Sequence, residues 1–168
     1  MTYAPTLLGD LHVVRAITPI DLASAAQDGD WVSLKNYNCC LVVYQSDVGT
    51  NNQDVSLTLR QAKSAGGANA KALSGRWYSK QDATVGDVTE ADTDSESEVA
   101  SFRDDGETAC LAYCEISADM LDVANDYRFV QVRASDPGAT AGKLGSAVYV
   151  LGGARYKDGV TRQKPAVS

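Results

Sequence analysis

The 168-residue chain has one histidine, two phenylalanines, two methionines and four prolines. Nowhere does it hold an apolar run near the roughly twenty residues that span a bilayer as a helix. The single histidine confines any histidine-dependent triad to His12. That residue lies inside the apolar pattern LHVVRAIT of residues 11–18, where a packed or edge side chain is expected. The nucleophile elbow G-x-S-x-G and the dinucleotide fingerprint G-x-G-x-x-G do not occur. Residues 138–145, GATAGKLG, fail as a phosphate loop: three residues instead of four separate the glycines, and Leu144 stands where Ser or Thr would bind magnesium. We therefore expect no catalytic residues, no cofactor and no enzymatic activity. The opening MTYAPTLLGDLHVV lacks a basic leader and a long apolar core, so no secretory signal is expected either.

The charge balance is acidic, 22 Asp and Glu against 15 Lys and Arg, for a formal net charge of −7. A nucleic acid is repelled by such a surface unless a basic patch offsets it. The nearest candidates, Arg155-Tyr156-Lys157 and Arg162-Gln163-Lys164, read as a solvated tail, so no nucleic-acid partner is expected. The acidic run EADTDSESE, residues 90–98, spaces Asp92, Asp94 and Glu96 like ligands of a metal loop. It lacks the turn glycine and the late bidentate Glu of an EF-hand. A solvated loop is the expectation, a calcium loop the alternative. Of the four cysteines, Cys39 and Cys40 are adjacent and Cys110 and Cys114 lie four apart, both pairs inside apolar strand patterns. Small buried thiols in a reducing compartment fit that placement, a disulfide being the alternative, and no metal set emerges.

Val, Thr and eight Tyr recur in short runs separated by fourteen Gly, a composition of many short strands. Residues 11–18 form a first strand, ended by Pro19. Residues 39–44 are apolar on both faces, as in a buried central strand. Val55, Leu57 and Leu59 alternate with Ser56, Thr58 and Arg60, and we read the two segments as a hairpin across the polar connection QSDVGTNNQ. A strand over 71–80 carrying Trp77 and Tyr78 follows a Gly-rich loop, then a weak strand over 84–89. Residues 108–116 place Cys110, Ala112, Cys114 and Ile116 on one face, Leu111 and Tyr113 on the other. SADMLD reads as one helical turn capped by Ser117, with Leu121 and Val123 beneath the sheet. Strands over 127–134 and 146–151 complete about eight. The expectation is a single-domain, all-β, antiparallel two-sheet β-sandwich of jelly-roll type over residues 1–168. It would carry an N-terminal arm (about 1–10) and a polar tail (about 157–168).

Three segments resemble a family of small structural virion proteins of tailed bacteriophages. DWVSLKNYNCCLVVY (30–44) with SLTLRQAKSAGGANAKALS (56–74) is similar to that family's entry strand, its L-T-L-x-Q-A strand and its Gly-rich loop. CEISADMLDVANDYRFVQVRAS (114–135) and LGSAVYVLGGARY (144–156) are similar to its later and closing segments. The acidic run at 90–98 has no counterpart in the pattern. The resemblance implies a β-sandwich on a phage particle, most specifically a capsid decoration, or cement, protein. Its partner would be the major capsid protein of the shell, it would be a homo-oligomer with a trimer favoured, and it would reside in a virion assembled in the host cytoplasm. No membrane partner is implied. A tail-associated receptor- or carbohydrate-binding module, with Trp31, Trp77 and Tyr78 as candidate aromatics, is one alternative. A head–tail neck protein is another. No binding residues are assigned at this level.

Overall fold

Alternation of apolar and polar side chains needs two layers to bury one face of each strand, and the computed structural model shows two. It describes residues 11–81, 89–90, 101–104, 106–138 and 142–155. Twelve strands run in chain order among them: β1 (Leu11–Asp21), β2 (Gln27–Asp28), β3 (Val32–Ser33), β4 (Tyr37–Ser46), β5 (Ser56–Ala62), β6 (Lys71–Leu73), β7 (Trp77–Gln81), β8 (Thr89–Glu90), β9 (Ser101–Arg103), β10 (Cys110–Ser117), β11 (Phe129–Ala134) and β12 (Leu144–Ala154). Seven of them are five residues or longer, close to the eight expected; the rest are two- or three-residue pairings. Every pairing is antiparallel. One sheet, which we call A, has the order β1-β12-β4-β10-β7-β8. The other, B, has the order β2-β11-β5-β6, with β3 added to β11 and β9 to β5. The expected antiparallel β-sandwich is the fold. The arm at 1–10 and the tail at 157–168 lie outside the described residues.

The two faces that meet are the ones the alternation marks. From sheet A come Cys40, Val42 and Tyr44, Ala112, Cys114 and Ile116, and Ala147, Tyr149 and Leu151; from sheet B, Leu57, Leu59, Val130, Val132 and Ala134. All are 2 % exposed or less. Tyr149 crosses between the layers: its hydroxyl accepts the Val132 backbone N–H at 2.9 Å, so a buried polar tip finds its partner in the opposite sheet.

Three expectations need correction. The strands over 39–44 and 55–59 are not a hairpin, because β4 pairs with β12 and β10 in sheet A while β5 pairs with β11 in sheet B. The QSDVGTNNQ connection thus crosses from one layer to the other. Residues 71–80 are likewise two strands, β6 in sheet B and β7 in sheet A. Gly75 sits at the crossing, where a Cβ would stand 2.6 Å from Cys114 Sγ and 2.9 Å from Leu59 Cδ1. Finally, β1 continues through Pro19 to Asp21, with register irregularities between Arg15 and Ile17 and between Ile17 and Ile20. β1 is the terminal strand of the sheet order, and an irregular stretch of an outer strand asks no ladder hydrogen bond of the proline.

The reading of residues 117–123 holds in part. Two 3-10 turns, Ala118–Met120 and Val123–Asn125, follow β10. The Ser117 hydroxyl donates to Asp119. Leu121 is buried as expected, but Val123 is 50 % exposed.

A polar cluster closes one end of the sandwich. Lys143, which sequence placed in a loop, is fully buried with its Nζ 2.9 Å from Asp104 Oδ2, both side chains 0 % exposed. The same oxygen accepts the Tyr44 and Ser46 hydroxyls at 3.2 Å each, and Asp104 Oδ1 accepts the Val55 N–H at 2.6 Å. Lys143 Nζ also donates to the Gln53 carbonyl at 3.3 Å. One ion pair therefore joins β4, the start of β5, the loop after β9 and the entry to β12.

Candidate docking face

A sheet face turned to water ordinarily alternates apolar-in and polar-out. The outer face of sheet B is mostly polar: Ser56, Thr58 and Arg60 on β5, Arg133 on β11, and Ser101 and Arg103 on β9 are exposed or half-buried, while Gln131 and the apolar Phe129 on β11 are buried and Ala72 on β6 is exposed on the same face. Sheet A departs from the alternation. The register places Arg15, Val148, Val43, Tyr113 and Tyr78 in one row across β1, β12, β4, β10 and β7. Val13, Val150, Leu41 and Glu115 form the next row. Leu111 flanks them, between Gln45 and Lys80. Residues between these on each strand point into the core, so these point out. Val13 is 62 % exposed, Leu111 39 % and Val148 36 %, and Leu41, Val43, Tyr78, Tyr113 and Val150 are half-buried.

With strands about 4.8 Å apart and same-face residues about 6.8 Å apart, five strands and three rows span on the order of 300 Å², part of it taken by Arg15, Glu115, Gln45, Ser146 and Lys80. Patches of roughly 300–600 Å² are the largest on ordinary monomers and are often functional. The apolar residues on both faces of 39–44 predict a buried central strand. β4 is central, yet its outer face has no second layer on it among the described residues.

The other expected candidates fall elsewhere. Trp77 is 1 % exposed and stacks on Phe102 at 5.7 Å between centroids, a core residue. Trp31 is half-buried, with the Arg60 guanidinium 5.9 Å from its ring centre. Gly67, at φ +76°, lies so close to it that a Cβ would stand 2.9 Å from Trp31 Nε1. Tyr78 is the one of the three on the docking face, stacked on Tyr113 at 5.5 Å and 18°. His12 is hydrogen-bonded through Nδ1 with the Tyr37 hydroxyl at 2.8 Å. The four cysteines are free thiols; burial, reinforced by Asp104, pushes Cys110 up to about 12, and burial likewise raises Cys40. No group of three or more His, Cys, Asp or Glu that could hold a metal ion occurs among the described residues. Of the 90–98 run only Glu90, on β8, has its backbone described; the rest lies outside the described residues.

In class, then, the chain is an antiparallel β-sandwich with an apolar cluster among polar neighbours on the outer face of sheet A. No protein-family model matches it, and no curated protein does. Among solved structures it is similar to a xylan-binding module, CBM15, at 9 % sequence identity and a TM-score of 0.33, over 85 % of this chain and 100 % of that one. Likeness at that level carries no ligand across.

Proposed function

We propose that the chain is a non-enzymatic structural protein of a tailed-phage virion, and within it a capsid decoration protein that seats the outer face of sheet A on the shell. The observation that carries this reading is the contrast between the two outer faces. A chain with a net charge of −7 turns Val13, Leu41, Val43, Leu111, Val148 and Val150 outward on sheet A, beside Arg15 and Glu115, while the outer face of sheet B is mostly polar. The resemblance of residues 30–44, 56–74, 114–135 and 144–156 to phage virion proteins supplies the setting. The size of the face supports a multivalent mode: on the order of 300 Å² is less than half of the roughly 800 Å² that each partner contributes to a stable interface. One copy docks weakly, and a trimer touching several capsid subunits dissociates slowly.

The test is co-sedimentation of the purified protein with undecorated shells built from the phage's major capsid protein. Binding that is lost in Val43→Glu and Val148→Glu, with thermal unfolding unchanged, is the expected result. Binding that survives both substitutions discards the face. Light scattering after size exclusion gives the oligomer, with three protomers expected. The Tyr78–Tyr113 pair on the same face favours one second reading, a tail-associated carbohydrate-binding module. Glycan-array binding removed by Tyr78→Ala, with no affinity for shells, would establish that reading in place of the first.

A further inference from the structure

Lys35, Arg128 and Arg155 lie around one end of this acidic protein, with Asp126 paired to Arg128 and Asp122 paired to Lys71 beside them. There, a cavity of about 130 Å³ lies among the β3–β4 connection, the two 3-10 turns, the entry to β11 and the exit of β12. Leu34, Ala118, Leu121 and Tyr127 line it as buried residues, and Val123, Lys35, Arg128 and Arg155 line it as exposed ones. The floor is thus apolar and the rim carries three positive charges. Size narrows the occupant. An apolar cavity of about 150 Å³ accepts one benzene, whereas small-molecule sites run to roughly 300–1,000 Å³. The cavity takes one apolar side chain, not a cofactor or an oligosaccharide.

The rim cations are held only by exchangeable contacts. Arg128 meets Asp126 at 3.1 Å with both side chains substantially exposed, and Arg155 Nε donates to Asn38 Oδ1 at 2.9 Å at the surface. Exposed contacts of this kind contribute little, and a guanidinium has five donors in a fork that suits a carboxylate. We propose that this cavity is a docking pocket for an acidic peptide segment of a partner protein. One Leu- or Phe-sized side chain sits on Leu34 and Leu121, and the flanking carboxylates meet Lys35, Arg128 and Arg155. Charge complementarity selects the partner: Lys35 and Arg155 have no carboxylate within ion-pair distance among the described residues, Arg128 can exchange its exposed Asp126 for another carboxylate, and the chain as a whole repels an acidic segment, so attraction is local to this rim. The pocket is separate from the sheet A face and does not rest on the virion reading.

The experiment is an amide-shift titration of the isotope-labelled full chain with the capped peptide Asp-Asp-Leu-Asp-Asp. Two controls, Asp-Asp-Gly-Asp-Asp and Lys-Lys-Leu-Lys-Lys, separate charge from apolar fit. Saturable shifts at Leu34, Leu121 and Val123 are expected, with affinity about tenfold or more weaker for each control. Added salt should weaken binding. The surface double substitution Arg128→Ala with Arg155→Ala should weaken it about fivefold or more, and Val123→Asp gives an independent exposed variant. No saturable shift at millimolar peptide overturns the proposal. So does equal binding of the glycine peptide, which leaves only bulk charge, or of the lysine peptide, which leaves only an apolar dent. Peptide binding and shell binding are read in separate assays, so either can fail alone.

Discussion

Replacing Lys143 by Met removes one charge from a pair that water does not reach. The aliphatic stem keeps its volume, but Asp104 remains buried as a carboxylate with only neutral donors: the Val55 N–H and the Tyr44 and Ser46 hydroxyls. Breaking a buried ion pair from one side costs about 3–5 kcal/mol, because the charge left behind has lost water and partner together. For a domain of this size that is a fall in Tm of about 6–20 °C. Asp104→Asn strands the ammonium of Lys143 instead, beside the Gln53 carbonyl, and should fall in the same range. The double variant Lys143→Met with Asp104→Asn leaves no buried charge. The Asn amide oxygen still accepts at the site, so only part of the about 1–3 kcal/mol cost of each unsatisfied donor remains. We predict a double-mutant loss well below the sum of the singles. Urea unfolding followed by far-UV circular dichroism measures all three. A Lys143→Met loss below about 1 kcal/mol, or strict additivity, would refute the pair as a buried, coupled unit.

The buried thiols and the depressed carboxylates give two further checks. We predict that Cys40 and Cys110 resist a thiol reagent near pH 8 until the chain unfolds, since the thiolate is the reactive form and burial disfavours it, and that Cys114, fully buried, is shielded by lack of access. Half-buried Cys39, raised by burial and by Glu115, should react slowly. Unfolding without reductant should release four thiols; fewer would reveal a disulfide. For acid, Asp54 is held below the usual carboxylate range first by the Gly106 N–H and then by Arg103. Asp122 is held down by Lys71 and Asn125, and Asp119 by the Ser117 hydroxyl. Folded values below the unfolded value of about 3.9 give stability that is present above that value and lost as pH falls through the folded ones. Tm should hold from about pH 7 to 5 and decline below about pH 4, and a Tm that rises there contradicts the assignment.

Strand identity was legible wherever alternation was strong. In β10, Cys110, Ala112, Cys114 and Ile116 are buried as the period of two requires, and β5 follows its Val55-Leu57-Leu59 pattern. Sheet membership was not legible. A nine-residue polar connection reads the same whether it turns back beside its own strand or crosses to the other layer, and the choice is made by distant partners, β10, β11 and β12. The long-range ion pair was equally hidden. Lys143 and Asp104 lie 39 residues apart, in segments that look like solvated loops, and only closure of the sandwich end brings them together. Val123 follows Leu121 in an apolar pattern, but the turn at Val123–Asn125 swings it outward. Trp77 and Trp31 show the limit for aromatics: type and spacing do not say which ring is core and which carries a cation.

The apolar face is the part of the candidate site that sequence half revealed. The run CCLVVY fits a strand buried on both sides, and the structure separates two causes of that pattern. Cys40, Val42 and Tyr44 are apolar because they meet sheet B. Leu41 and Val43 face outward beside Val148 and Val150, where nothing in the sandwich requires them to be apolar. The same chain puts Ser56, Thr58 and Arg60 at the outward positions of β5, and Phe129, Gln131 and Arg133 at those of β11. Leu41, Val43 and Val150 are half-buried and so gain part of their burial in the monomer, whereas Val13 stays 62 % exposed. Under the proposed function a second surface covers these residues, and a face this small would hold best when several copies bind together. The proposed contact rests on this face, and Val43→Glu is the substitution that puts it at risk.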